Sequence, residues 1–115
     1  MNLEEFYAQI GGDYADTLQR LCNENMVKKF VKKYQDDPTC ADLHNAVLQQ
    51  DWEVAFRGAH TLKGVCQNLG FSNLYEPTYT LTETLRAGQL EGTQEQFAKV
   101  AEQYQCTMDA IRALD

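Results

Sequence analysis

A histidine, a lysine, a glycine and a glutamine recur at helical spacing in one segment of the chain, as His60, Lys63, Gly64 and Gln67. Residues three or four apart share one face of a helix, so these four would stand together. An imidazole nitrogen is a nucleophile, and a lysine ammonium is a mobile charge that can reach phosphoryl oxygens. Glycine inside a helix costs about 1 kcal/mol relative to alanine, and the bare surface at Gly64 lets another molecule's backbone or a phosphoryl group come close. Gln67 can hydrogen-bond either the imidazole or a phosphoryl group.

The predicted rotation of this helix turns His60 away from the protein core. Asp51 is a suitable cap, and the segment from Trp52 to Leu69 ends at Gly70, which favours one uninterrupted helix. With about 100° per residue, five apolar residues form its core stripe: Ala55, Ala59, Leu62, Cys66 and Leu69. His60 lies about 160° from Leu62 around the helix axis, so we expect its side chain in solvent.

Phe56 and Arg57 share the outward side of this helix with His60, and we expect both to contact a partner. Phe56 lies one turn before the histidine, and an apolar residue on an exposed face suits a docking contact. Each residue of this face also has a plain structural interpretation: a solvated charge for Lys63, a surface polar residue for Gln67, and packing under a neighbouring helix for Phe56. Their occurrence together on one face favours the functional interpretation.

The remaining chain is predicted to be helical, with short links between the helices. Further helices are expected over residues 3–10, 13–34, 38–50, 72–87 and from 93 to the carboxyl end. Thr93 and Gln96 have the spacing of a capping box, and Pro77 indicates a kink or a fresh start in the preceding helix. The fold class is therefore all-α: an antiparallel up-down four-helix bundle with an additional short N-terminal helix. We expect one domain over residues 1–115, with the bundle core over about 37–115 plus the long helix 13–34.

Composition narrows the classes of protein further. The 115 residues carry a net charge of −7, which argues against a nucleic-acid partner because phosphates attract basic surfaces. No apolar run approaches the roughly 20 residues that span a bilayer, and the amino terminus lacks a basic signal-peptide start. We therefore expect a cytoplasmic protein with no membrane insertion, and we also expect a monomer.

Four cysteines, Cys22, Cys40, Cys66 and Cys106, raise the alternatives of disulfides or a zinc site. No pair has the C-x-x-C spacing that metal sites favour, and the lack of an export signal disfavours disulfides. We expect buried or half-buried free thiols that pack as small hydrophobic groups, and no bound metal.

The stretch from Ala59 to Gly70, AHTLKGVCQNLG, resembles the signature of histidine-containing phosphotransfer (HPt) domains of bacterial phosphorelays. That signature is A-H-x-L-K-G, followed by a helix turn or two and an apolar–glycine stop. The resemblance implies an up-down four-helix bundle whose exposed His60 accepts a phosphoryl group from the aspartyl phosphate of a receiver domain and passes it to a second receiver. Lys63 and Gly64 match the motif directly, as charge stabiliser and as clearance, whereas Gln67 matches a looser polar position.

The partners that this resemblance implies are response-regulator receiver domains and a sensor or hybrid histidine kinase. The protein would be a phosphocarrier without a cofactor, since phosphoryl transfer is mostly positioning and charge stabilisation, and the chain has no glycine-rich nucleotide loop. Two alternatives stay open. One is a helical interaction module that binds a receiver or kinase without being phosphorylated; the other is a metalloprotein bundle, which the lack of Glu-x-x-His pairs disfavours.

Overall fold

Seven α-helices account for most of the chain in the computed structural model, which describes all 115 residues. In chain order they are α1 (Leu3–Ile10), α2 (Tyr14–Leu21), α3 (Glu24–Lys33), α4 (Thr39–Leu48), α5 (Trp52–Leu69), α6 (Ser72–Arg86) and α7 (Thr93–Arg112). A single 3-10 turn, Tyr34–Asp36, follows α3, and no strand is present. The predicted all-α class is confirmed.

Helices α4 to α7 form a ring of antiparallel neighbours. Helix α4 packs against α5, α5 against α6 and α6 against α7, and α7 returns to contact α4. The links cover only residues 49–51, 70–71 and 87–92, and such short links reverse the chain between adjacent helices. The predicted up-down four-helix bundle is therefore confirmed, and α1, which packs against α7, is the additional N-terminal helix.

The core side of α5 is the stripe that the sequence predicted. Ala55, Ala59, Leu62 and Cys66 are fully buried, and Leu69 is 5% exposed. They belong to one cluster of buried apolar side chains to which every helix except α2 contributes. The α2 side chains Tyr14, Leu18 and Leu21 pack against this cluster from outside and are partly buried.

The single long helix predicted over residues 13–34 is wrong, because two helices, α2 and α3, occupy this stretch. Between them, Cys22 has a positive φ of 76°. Asn23 then caps α3, its side chain accepting a hydrogen bond from the Met26 N–H at 2.9 Å. Asparagine side chains bond the backbone just outside a helix and so compete with its continuation, which the apolar spacing alone did not reveal.

The capping box predicted for α7 is also wrong. Gly92 precedes the helix with a φ of 84°, and Thr93 is already the first helical residue. The Thr93 hydroxyl donates a hydrogen bond backwards to the Leu90 carbonyl at 3.0 Å, and the buried Gln96 Oε1 has no hydrogen-bond partner. Glycine reaches the left-handed region without strain, so the helix begins one residue earlier than a threonine cap allows. Helix α6, by contrast, continues through Pro77 without the fresh start.

All four cysteines are free, but only two of them are buried. Cys40 and Cys66 lie in the core, where burial raises the pKa of the Cys40 thiol to about 12 and also raises the pKa of Cys66. Cys22 and Cys106 are exposed, so the expected burial is right for the first pair and wrong for the second. No helix has the length and hydropathy needed to cross a bilayer.

The carboxyl end of α5 is held by the N-terminal helices. The last carbonyls of a helix have no partner within it and must find one elsewhere. Tyr7 donates its hydroxyl to the Leu69 carbonyl at 2.6 Å, and the Asp13 N–H donates to the Gly70 carbonyl at 2.9 Å. Arg20 Nη2 reaches the two preceding carbonyls of α5 at 2.7 and 2.6 Å. These contacts fix α1 and α2 on the end of the helix that carries His60.

We expect Gly70→Ala to lower the free energy of unfolding far more than Gly11→Ala. Both glycines end helices with a left-handed backbone, which costs alanine about 1–2 kcal/mol. A Cβ at Gly70 would overlap Thr17 Oγ1 and lie 2.7 Å from the Asp13 carbonyl oxygen, whereas one at Gly11 meets nothing within 4 Å. Overpacking adds about 1–3 kcal/mol to the first variant only. Urea unfolding measures both, and equal losses would contradict the packing of α2 on this corner.

Candidate functional site

Helix α5 carries His60 on its solvent side. The helix is 18 residues long. At its start the Asp51 carboxylate accepts a hydrogen bond from the Val54 N–H at 3.4 Å, and at its end Gly70 adopts a left-handed backbone with a φ of 71°. His60 is exposed, whereas its neighbour Ala59 is fully buried, so the histidine stands where the wheel placed it. Neither ring nitrogen of His60 hydrogen-bonds within the protein, which leaves both free to meet another molecule.

Gly64 leaves an open space one turn beyond His60. A Cβ built at Gly64 meets no atom within 4 Å. A second glycine of the same helix gives the contrast: a Cβ at Gly58 would lie 3.4 Å from Leu43 Cβ of α4. Gly58 therefore lies in the contact between two helices, whereas Gly64 faces open space.

Lys63 lies against the neighbouring helix rather than free in solvent. Its side chain is half-buried, and its Nζ stands 5.7 Å from the centre of the Tyr79 ring on α6. Tyr79 in turn stacks on Tyr75, with ring centres 6.0 Å apart and planes at 27°. Lys63 forms no ion pair with a carboxylate, so its charge is not neutralised.

Phe56 connects His60 to α6. The two rings stack with centres 6.2 Å apart and planes at 22°. The guanidinium carbon of Arg86 lies 5.1 Å from the centre of the Phe56 ring, and Arg86 Nε is 3.4 Å from Glu83 Oε2. Phe56 is half-buried, so its ring both packs under α6 and presents part of its surface beside the histidine.

The other two predicted site residues stand at the margins. Gln67 is exposed, and only its backbone carbonyl has a partner, Arg20, at 2.7 Å. Arg57 is exposed and lines a groove between α4 and α5 that Asp42 and Thr61 also line. The structure thus brings the Phe56 ring against His60 and leaves open space at Gly64, while Lys63 reaches α6, and Arg57 and Gln67 are exposed on the same helix.

Three residues of α6 that the sequence did not predict lie against the neighbours of His60: Tyr79 against Lys63, Arg86 against Phe56, and Tyr75 against Tyr79. For this helix the sequence predicted only the span 72–87 and an interruption at Pro77. An available signal was the repetition of tyrosine at a spacing of four, on the side away from Leu74 and Thr78, which are both fully buried. Tyr79 is 44% exposed, so its ring lies at the surface of α6 rather than in the core.

Chemically, the group offers a nucleophile, an uncancelled cation and clearance for an incoming reactant. No set of three or more His, Cys, Asp or Glu side chains that could hold a metal ion is present.

The Hpt domain family model matches residues 13–114, so the chain belongs to the Hpt domain family. Members of this family carry out histidine phosphotransfer in phosphorelays and interact with receiver domains and kinases. No curated protein matches the chain, and no solved structure matches it.

We expect Gly64→Ala to raise the free energy of unfolding by up to about 1 kcal/mol, because alanine is the better helix former. Gly64→Leu should also fold, since the site of its side chain is open, yet it should greatly slow phosphoryl transfer from a receiver by filling the approach to His60. Thermal melts and transfer rates of the glycine, alanine and leucine proteins make the test.

The control is Ala98→Leu, which adds a leucine at an exposed position of α7, diagonally across the bundle from α5. It should transfer at the normal rate. A Gly64→Leu protein that also transfers normally would remove the steric argument, and one that unfolds would place Gly64 against another helix.

Proposed function

We propose that this protein is a phosphorelay intermediate in which His60 accepts a phosphoryl group from a receiver aspartyl phosphate and passes it to another receiver. The observation that carries the proposal is the exposed His60 with open space at Gly64, in a chain of the Hpt domain family. An interior histidine, or one beside a larger residue, would not admit a second protein to the imidazole.

In the first step, an unprotonated ring nitrogen of His60 attacks the phosphorus of the aspartyl phosphate. A nitrogen–phosphorus bond forms as the bond from phosphorus to the carboxylate oxygen breaks, and the electron pair stays on the receiver carboxylate. The second step runs the same exchange in reverse, towards another receiver. Such transfers need alignment and charge stabilisation more than covalent chemistry, and by the family resemblance the receiver supplies its own aspartates and Mg²⁺.

Lys63 would supply the charge on this side of the reaction. An ammonium near the phosphoryl oxygens stabilises the negative charge that they carry in the transition state and in phospho-His60. Because no carboxylate pairs with Lys63, its three N–H donors remain available for those oxygens. Gln67, two turns from His60, would add a hydrogen bond at the edge of the site.

The receiver would dock over the exposed side of α5. Its active-site loops would enter above Gly64, while the visible part of the Phe56 ring and the charged Arg57 would contact the receiver surface on either side of His60. The histidine kinase at the start of the relay would act through its receivers. The monomeric state and the cytoplasmic location expected from the sequence stay predictions.

We expect His60→Gln to abolish phosphoryl acceptance while the helical fold and the melting temperature stay unchanged, because His60 contributes nothing to the core. His44→Gln is the matched control: His44 is also exposed on a helix, but its ring stacks on Phe97, with centres 4.7 Å apart. The measurement is transfer of label from a panel of phosphorylated receivers.

An acid-labile, alkali-stable label that the His44→Gln protein gains and the His60→Gln protein does not gain supports the proposal. Binding of receivers without any labelling would instead favour an interaction module that is never phosphorylated. A marked drop in the melting temperature of His60→Gln would show that the histidine has a structural role.

A further inference from the structure

We propose that Tyr79 is a positioning residue that holds the ammonium of Lys63, three residues from His60 on the same helix face, without neutralising it. The inference rests on the proposed function, because the group that Lys63 serves is the phosphoryl group on His60. It adds a residue from a second helix, α6, to a site whose sequence motif lies wholly on α5.

The Lys63 ammonium and the Tyr79 ring lie within attractive range of each other. Lys63 Nζ lies 5.7 Å from the centre of the Tyr79 ring, within the range of about 6 Å over which a cation and an aromatic face attract. Lys63 is half-buried although it is long and charged, which means that its stem lies along α6 rather than extending into water. Tyr79 is itself braced, because its ring stacks on Tyr75 at 6.0 Å.

Tyr79 is exposed on α6 and is not part of the bundle core. Its side chain is 44% exposed, one of only three large apolar or aromatic residues that are so exposed, so the bundle core does not explain its presence. Its hydroxyl makes no hydrogen bond within the protein. Its ring contacts Lys63 and Tyr75.

An aromatic ring restrains a lysine side chain in a different way from a carboxylate. A lysine side chain has a flexible four-carbon stem, and fixing it has an entropic cost that a reaction must otherwise meet when the phosphoryl group arrives. A carboxylate partner would fix the lysine but cancel its charge and occupy its donors. An aromatic face attracts the ammonium and accepts none of its N–H groups in a strong hydrogen bond, so the cation is held in place and stays available.

A spectroscopic measurement on the unphosphorylated protein tests the contact. In proton NMR, the ε-methylene protons of Lys63 should resonate upfield of those of an exposed lysine such as Lys99, because they lie over an aromatic ring. The shift should persist in Tyr79→Phe, which keeps the ring, and vanish in Tyr79→Leu, which keeps the bulk but not the ring. A Lys63 that resonates with the other lysines in the wild-type protein would overturn the inference whatever the variants do.

The lifetime of phospho-His60 tests the function of the contact. The protein is labelled with a small phosphoramidate donor, and hydrolysis is followed, in which water forms a bond to phosphorus and the imidazole nitrogen recovers its electron pair. Lys63→Ala should shorten the lifetime. Tyr79→Leu should shorten it less, by roughly two- to fivefold as expected for a partly exposed cation–aromatic contact, and Tyr79→Phe should stay near the wild type.

A double-mutant cycle separates positioning from a general effect on the fold. In the Lys63→Ala background, Tyr79→Leu should have no further effect on the lifetime, because the group that Tyr79 positions is gone. Additive effects of the two substitutions, or a longer lifetime in Tyr79→Leu, would overturn the inference. Since the label comes from a small donor, this result is independent of receivers: failure of every receiver to label the wild-type protein would defeat the proposed function and leave the lifetimes measurable.

Discussion

The orientation of α5 is the constraint on which the rest of the site depends. Its stripe of Ala55, Ala59, Leu62 and Cys66 is fully buried, and burying one leucine side chain contributes about 1.5–3 kcal/mol. Turning the helix by half a revolution would expose Leu62 and carry the imidazole and the ammonium of Lys63 into the core, where an unpaired charge is very costly. The N-terminal helices also hold the carboxyl end of α5 in place, since they hydrogen-bond its last carbonyls. The position of His60 is therefore a consequence of packing that His60 itself does not share.

Around that histidine, charge and space are arranged across two helices. The chain as a whole carries a net charge of −7, yet the cations Lys63 and Arg86 stand on the side of the molecule where His60 is exposed. Salt screens exposed charges beyond about 10 Å, so a phosphoryl group on His60 would respond to the charged groups of this face more than to the net charge of the chain. Both cations rest on aromatic rings, Lys63 on Tyr79 and Arg86 on Phe56, although Arg86 also pairs with Glu83. Helix α6 thus acts as a second wall of the site.

The sequence predicted α5 to the residue because three independent signals coincide there: the Asp51 cap, the regular apolar spacing and the Gly70 stop. It failed between residues 13 and 34, where the apolar spacing continues across a break made by the local hydrogen bond of Asn23, and at α7, where Gly92 replaces the expected threonine cap. The same distinction holds for the site. His60, Lys63 and Gly64 lie on one helix, so helical geometry alone relates them. Tyr79 and Arg86 come from α6, and their contacts with α5 depend on how the two helices pack. Residue spacing within one helix does not predict that packing.

We propose that His60 carries a phosphoryl group between proteins, and transfer from phosphorylated His60 to a receiver tests this proposal most directly. Protein labelled on His60 with a small phosphoramidate donor would be purified, mixed with each of a panel of unphosphorylated receivers and Mg²⁺, and followed in a single turnover. We expect label to leave His60 and to appear on a receiver carboxylate in equal amount, with little free phosphate, for at least one receiver. Label that stays on His60, or leaves only as inorganic phosphate, across the whole panel would contradict it.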